Sequence, residues 1–510
     1  LPGPRSAARL QILETRIDAG FFVSALIVLL YPPNLPDAKS RQHRLVAIGA
    51  AAQTLGIMLF PRFILHDSMK SFFASGNHAL SCVINRYTSA DIVRLDFINH
   101  KTVICPHMSF PVFFIHLPKC GGSTVTSYFD LNKGKDQYIS FVWDQAGWEN
   151  CRAKLLASRV GGGHQPYGIH RALKHPVSYC TILRDPLARQ ISHYWYAASG
   201  KNGEVTRGVS VSTPEALAQQ GVLSLDEWVG ESLGGRNLFV QMLSGEPVVN
   251  EASVAIAKAH LHEQIGTVGV CENMSEFLLR LCGSNGLELP FYFEANRTSG
   301  STKGKSNPGE AAKQKFIDGN SFDYQIFNDA IRIVESYSKQ TGSIFSNALE
   351  LVRVIQAEIN KLENPHVYSS PVFGFDGSFL ERVHEVIRRF DLTPINTYLE
   401  FAQSRRRPPA DLFDGFVDTV QNGVVSGWAV NLSRPEQPVA LEVRVGAQIV
   451  ASGSSGEHRP DVAAAGYPSS YSGFSIPLPD GVPQGFHVAI AKSTESLHNA
   501  GAWRQGWHCE

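Results

Sequence analysis

The stretch from Val112 to Phe129, VFFIHLPKCGGSTVTSYF, restricts the fold more than any other part of the chain. Val112 to Ile115 is an apolar run of strand length. Pro118 stops it, Gly121-Gly122 turns the chain, and Ser123-Thr124 can open a helix running through Tyr128-Phe129. A strand, a glycine turn and a helix N-terminus make a phosphate cradle: N–H groups without intrahelical partners point at the anion, and the helix dipole favours it. Lys119 adds a positive charge at the lip. The same residues also describe an ordinary strand–turn–helix, since glycine turns are common. The NTPase P-loop has the order GxxxxGK[ST], with lysine after the glycines. Here Lys119 precedes them and the loop is shorter, so the usual Mg²⁺ seat is missing.

A second segment, SYCTILRDPLARQISHYWY (178–196), narrows the choice. Tyr179 to Leu183 is again a short apolar strand, ended by Arg184-Asp185-Pro186 with proline placed to begin a helix. Ser192 follows Arg184 by eight residues, so a strand-end guanidinium and a helix hydroxyl could converge on one phosphate. The structural alternative makes Asp185 an N-cap with Arg184 as its ion-pair partner.

Together the two segments resemble the paired cofactor signatures of the PAPS-dependent sulfotransferases, PAPS being 3′-phosphoadenosine 5′-phosphosulfate. The likeness is to the carbohydrate O-sulfotransferase branch that includes the heparan sulfate 2-O- and 6-O-sulfotransferases. That branch carries H-[IL]-P-K-x-G-[GS]-[ST]-T after a strand, here His116 to Thr124. It also carries [TI]-x-L-R-[DE]-P-x-x-R-x-x-S-x-[YF]-x-[YF], here Thr181 to Tyr196. The resemblance implies that Lys119 and the amides of Cys120, Gly121, Gly122, Ser123 and Thr124 hold the 5′-phosphosulfate. It implies that Arg184 and Ser192 hold the 3′-phosphate. Cys120 stands where small or hydroxyl residues are usual, a change that backbone contacts should survive. Beside Lys119 and a helix N-terminus, its thiol should be reactive if it faces the cleft and inert if it turns into the core.

Between the segments lies VGGGHQPYGIH (160–170). In the same branch a G-H-x-x-[FY]-G element here supplies the catalytic base, and His164 with Tyr167-Gly168 matches it. A neutral imidazole can take the proton of an attacking sugar hydroxyl, while Lys119 and the loop amides meet charge on the leaving phosphate oxygen. The scheme requires no metal. His170 and His193 are weaker candidates. The likeness continues through TVGVCENMSEFLLRL (267–281), a strand, turn and amphipathic helix, and a last core helix at 322–338. In the loop at 294–305 Arg297 or Lys303 could reach the nucleotide; a solvated loop is the simpler reading. The resemblance covers 111–345.

The expected architecture is α/β: a P-loop-like parallel sheet flanked by helices (111–345), a helical spacer and linker (346–408), and a small β-sandwich (409–510). The spacer rests on an amphipathic pattern at 345–362 and on the Arg405-to-Pro409 linker. LEVRV (441–445), SGFSIPLP (472–479) and GFHVAIAK (485–492) have the period of half-buried strands. G-x-V-x-G-W-A (423–429), H-R-P-D-V (458–462) and S-G-F (472–474) resemble a β-sandwich module appended to bacterial glycosyltransferases. Trp428 is either a sugar-stacking residue or part of that module's core. Residues 1–110 hold apolar runs at 21–31 and 45–61, each short of the ~20 residues a membrane span needs. Buried helices are the expectation there, with a membrane anchor as the alternative.

Lys plus Arg equals Asp plus Glu at 46 each, which gives no electrostatic reason to expect a nucleic-acid partner. The balance hides +5 over 1–110 (11 basic, 6 acidic) and −5 over 409–510 (5 basic, 10 acidic). Eight cysteines without a CxxC pair fit a reducing, cytoplasmic setting, with a Cys271–Cys282 pair conceivable in an oxidising one. The expected activity is sulfate transfer from PAPS to a hydroxyl of a carbohydrate acceptor. The alternatives are a nucleotide-dependent kinase or NTPase, and an inactive glycan-binding protein.

Overall fold

Val112, Phe113, Phe114 and Ile115 are all buried, as befits a parallel strand covered on both faces. This strand, β1 (Val112–Ile115), is the centre of a five-stranded sheet in a computed structural model of the chain. The structure describes residues 110–133, 138–141, 152–153, 155–156, 160–200, 213–287, 289–293, 306–362, 377–405, 410–482, 485–491 and 497–499. The expectations for 1–110 (all but residue 110 itself), for Arg297 and Lys303 in the 294–305 loop, and for most of the Arg405-to-Pro409 linker fall outside them.

The other strands are β2 (Tyr138–Phe141), β3 (Val160–Gly163), β4 (Ser178–Leu183) and β5 (Ile265–Val270), in the order β2-β3-β1-β4-β5. Every neighbouring pair is parallel. The chain leaves β1 toward β2 and β3 on one side, and β4 continues to β5 on the other. The order therefore reverses between β1 and β4, and open α/β sheets bind ligands at the strand carboxyl ends of such a switch point.

The connections are α1 (Gly122–Lys133), α2 (Ile169–Leu173), α3 (Pro186–Ala198), α4 (Pro214–Gln219), α5 (Leu225–Gly230), α6 (Leu238–Ser244) and α7 (Glu251–Ala259). There follow α8 (Met274–Asn285), α9 (Glu310–Gly319), α10 (Ser321–Ile359), α11 (Gly377–Arg388) and α12 (Thr393–Ser404). Helix α10 holds the two helical stretches that the sequence predicts, one on each side of a kink at Gly342, whose backbone (φ 61°, ψ −144°) is non-helical. Phe345, Leu349, Val352, Ile355 and Ile359 share one core with the sheet, so the amphipathic pattern at 345–362 packs on the α/β body. Asp323 at its start accepts the N–H groups of Phe239 (2.9 Å) and Val240 (3.2 Å), giving α6 the acceptor its first turn lacks.

The C-terminal residues form a four-stranded and a three-stranded sheet around their own core of Val425, Leu441, Val443, Phe474 and Ile476. The first holds β6 (Phe413–Gln421), β7 (Val424–Asn431), β10 (Gly473–Pro477) and β12 (His498–Asn499); the second holds β8 (Ala440–Val445), β9 (Gln448–Ser454) and β11 (His487–Ile490). Pairing is antiparallel except between β6 and β12. The H-R-P-D-V stretch forms a short helix, α13 (Pro460–Ala464). Among the described residues no helix is long and apolar enough to cross a membrane.

Candidate functional site

The register of β1 and β3 builds the centre of the site. Ile115 pairs with Gly163, so the next residues, His116 and His164, leave neighbouring strands side by side at their carboxyl ends. Their rings stack at 4.3 Å between centroids, and His164 Nδ1 lies 2.7 Å from the His116 carbonyl oxygen. A carbonyl only accepts, so Nδ1 carries the proton and Nε2 keeps its lone pair. His164 is exposed at its rim, yet the packed protein around it lowers its pKa, as does the charge of Lys119; the hydrogen bond to His116 works in the opposite sense. His116 is pushed down to about 3 by burial first, then by His164 and Lys119. Both rings are therefore neutral near pH 7. Gly162 of β3 is a steric requirement: a Cβ there would stand 2.8 Å from the Phe114 backbone oxygen.

The turn after β1 is wound through left-handed conformations at Lys119 (φ 66°) and Gly121 (φ 85°). For a lysine that backbone is strained by about 1–3 kcal/mol, a cost that concentrates at ligand-holding loops. A Cβ on Gly122 would fall 1.7 Å from His116 Nε2, so the imidazole occupies the space that the missing side chain leaves. The loop amides are not equivalent. Cys120 N–H already donates to Leu117 O (3.3 Å) and Thr124 N–H to Gly121 O (2.9 Å). The Gly121 and Gly122 N–H groups make no backbone hydrogen bond among the described residues.

Across the switch point, Arg184 leaves β4 and its Nη1 donates to Lys119 O at 3.3 Å, tying the two strand ends together. Asp185 is the N-cap of α3, accepting from Ala188 N at 2.7 Å, with Pro186 first in the helix. Lys119 Nζ sits 3.5 Å from the centre of the Tyr196 ring, a cation–π contact. Ser192 is one turn before Tyr196 on the same helix face, half-buried, so its hydroxyl belongs to the same side of α3. Arg189, buried beneath, donates through Nη2 to Gly234 O (2.9 Å) and Gln190 Oε1 (2.5 Å) and holds α3 on the 231–237 turn.

Three readings that the sequence leaves open are decided by the structure. The Cys120 side chain turns into the core and is fully buried; burial pushes its thiol well above the usual range, so it is not the activated thiolate a cleft position would give. His170 is structural. Its Nε2 donates to Phe413 O (3.2 Å), leaving Nδ1 to accept from Tyr179 O–H (2.7 Å), so neither nitrogen is left for a substrate. Cys271 and Cys282 are free thiols, not a disulfide. His193 is pushed down to about 4, by burial first and then by Arg189, and packs edge-on against Trp228 at 5.2 Å. Neither a scan against protein-family models nor a search of curated proteins matches this chain.

The structure thus brings Lys119, Arg184, His164 and the α3 face bearing Ser192 to one end of the sheet. Sequence reasoning passed over His116 and Tyr196 as partners. The signal for His116 was there: identical strand lengths before His116 and His164, on strands long enough to pair, place the two rings in contact.

Proposed function

We propose that the chain is a PAPS-dependent O-sulfotransferase acting on a carbohydrate hydroxyl. The observation that carries the reading is the His164 imidazole held by the His116 carbonyl at 2.7 Å, beside a glycine loop whose lysine is tied to the strand-end Arg184. His164 Nε2 takes the proton of the acceptor hydroxyl. The oxygen attacks sulfur, a new O–S bond forms, and the bond from sulfur to the 5′-phosphate oxygen breaks. The electron pair leaves on that oxygen, where Lys119 and the Gly121 and Gly122 amides meet the charge. Arg184 and Ser192 would hold the 3′-phosphate. A cradle closed to any Cβ at Gly122 and a strained Lys119 fit a loop shaped around an anion.

In this reading the parallel sheet is P-loop-like, the two C-terminal sheets make a small β-sandwich, and the four described free thiols suit a cytoplasmic protein. Transfer of labelled sulfate from PAPS to a panel of glycans is the test. His164→Ala should lower turnover by roughly two to four orders of magnitude, the range for losing a general base, with adenosine 3′,5′-bisphosphate affinity retained. Near-normal turnover in that variant would falsify the assignment.

A further inference from the structure

Helix α2 has two neighbourhoods. Its residue His170 reaches Phe413 at the start of β6, and Arg171 beside it faces the C-terminal sheets. Between them lies a cavity of about 230 Å³ lined by Arg171, Asp414, Phe416, Trp428 and Tyr467. We infer that this seam cavity is a carbohydrate-binding site that takes one pyranose ring, using residues of both the parallel-sheet body and the C-terminal sheets.

The walls and the floor differ in chemistry. Trp428 and Tyr467 lie 4.5 Å apart between ring centroids, inclined at 56°, and both are half-buried, so each leaves an edge or face toward the cavity. Aromatic rings of this kind offer large apolar contact at little entropic cost, which suits the C–H face of a sugar. The floor is Asp414, only 7% exposed. Tyr467 O–H donates to its Oδ2 at 2.7 Å and Gly415 N–H to its Oδ1 at 2.9 Å. These two bonds fix the carboxyl and leave each oxygen a further lone pair for a ligand hydroxyl. Arg171 supplies N–H donors next to this acceptor, so vicinal hydroxyls would meet a donor and an acceptor together. Lys174, 5.0 Å over the Tyr467 ring, and its bond to the Ala465 carbonyl hold that aromatic residue from the α2 side.

Other ligands fit less well. Ligand pockets for drug-sized molecules span about 300–1,000 Å³, and this cavity is smaller, the size for a single ring. A phosphate or nucleotide would meet the Asp414 carboxyl at the floor. A purely apolar ligand would strand two charged groups. The inference does not rest on sulfate transfer at His164, and its test contains no sulfate donor.

Calorimetric titration of the full chain with hexasaccharides of glucose, of N-acetylglucosamine and of a uronate-containing repeat tests it. At least one hexamer should bind at one site per chain. Trp428→Ala and Arg171→Gln, on opposite sides of the seam, should each weaken that binding at least tenfold, while Trp428→Phe, which keeps an aromatic face, retains it within a few-fold. No binding by any hexamer, or unchanged binding in either the Trp428→Ala or the Arg171→Gln chain, overturns it.

Discussion

In the proposed transfer His164 can act as a base only while Nε2 carries a lone pair, and its surroundings protect that state. Desolvation by packed protein lowers its pKa below 6.5; the hydrogen bond to the His116 carbonyl opposes it, and the charge of Lys119 adds a smaller lowering. The sign is clear: a lowered pKa keeps the ring unprotonated as pH falls through 6.5. The acid limb of kcat/KM for sulfate transfer should therefore lie below pH 6.5. A limb at or above that value contradicts the assignment. Chemistry at the residue scale was only partly legible in the sequence. His164, Lys119 and Arg184 stand in spaced motifs, whereas the direction of the Cys120 side chain depends on Leu117 and Pro118 curling the loop so that Sγ points inward. His170 is a weaker candidate in the sequence, and its contacts with Tyr179 and with Phe413, 243 residues away, make it structural.

At the scale of elements, the site depends on where strands end and helices begin. Gly122→Ala places a methyl on the His116 ring and should push that ring off His164 without moving the backbone. Overpacking of this kind costs about 1–3 kcal/mol, so the thermal midpoint should fall by a few degrees while turnover falls much further. A melting curve beside a transfer assay separates the two effects. Asp185→Ala removes the α3 cap, with an expected loss of about 0.5–2 kcal/mol, read in a urea titration. Strand, turn and helix were readable here because Pro118, Gly121 and Pro186 punctuate the sequence. The two stretches of α10 were readable as separate amphipathic patterns, 322–338 and 345–362, and the structure joins them across a kink at Gly342.

For the whole molecule, buried histidines set the response to acid. His116 is lowered to about 3 and His193 and His260 to about 4, in each case mainly by burial. The unfolded chain takes up protons at these sites below about pH 6.5 while the folded chain refuses them, so they withdraw stability as pH falls from 6.5 toward 4. Asp323, raised by burial to about 7, acts oppositely: its protonated form favours the fold, and that contribution is lost as pH rises from about 4 through 7. His164, His170 and His384 are lowered by burial as well, and Asp414 is raised like Asp323, so the lowered histidines outnumber the raised carboxyls and predict a lower urea midpoint at pH 4.5 than at pH 6.5. Arg171 follows His164 by seven residues, a reach of at most about 25 Å, so one glycan chain is long enough to touch both the seam and the base. The central claim concerns the anion site, and calorimetry with adenosine 3′,5′-bisphosphate in the presence of EDTA tests it most directly. Saturable one-site binding that Lys119→Ala and Arg184→Ala each weaken at least tenfold is the predicted result; no binding of that nucleotide, together with Mg²⁺-dependent binding of ATP, would contradict it.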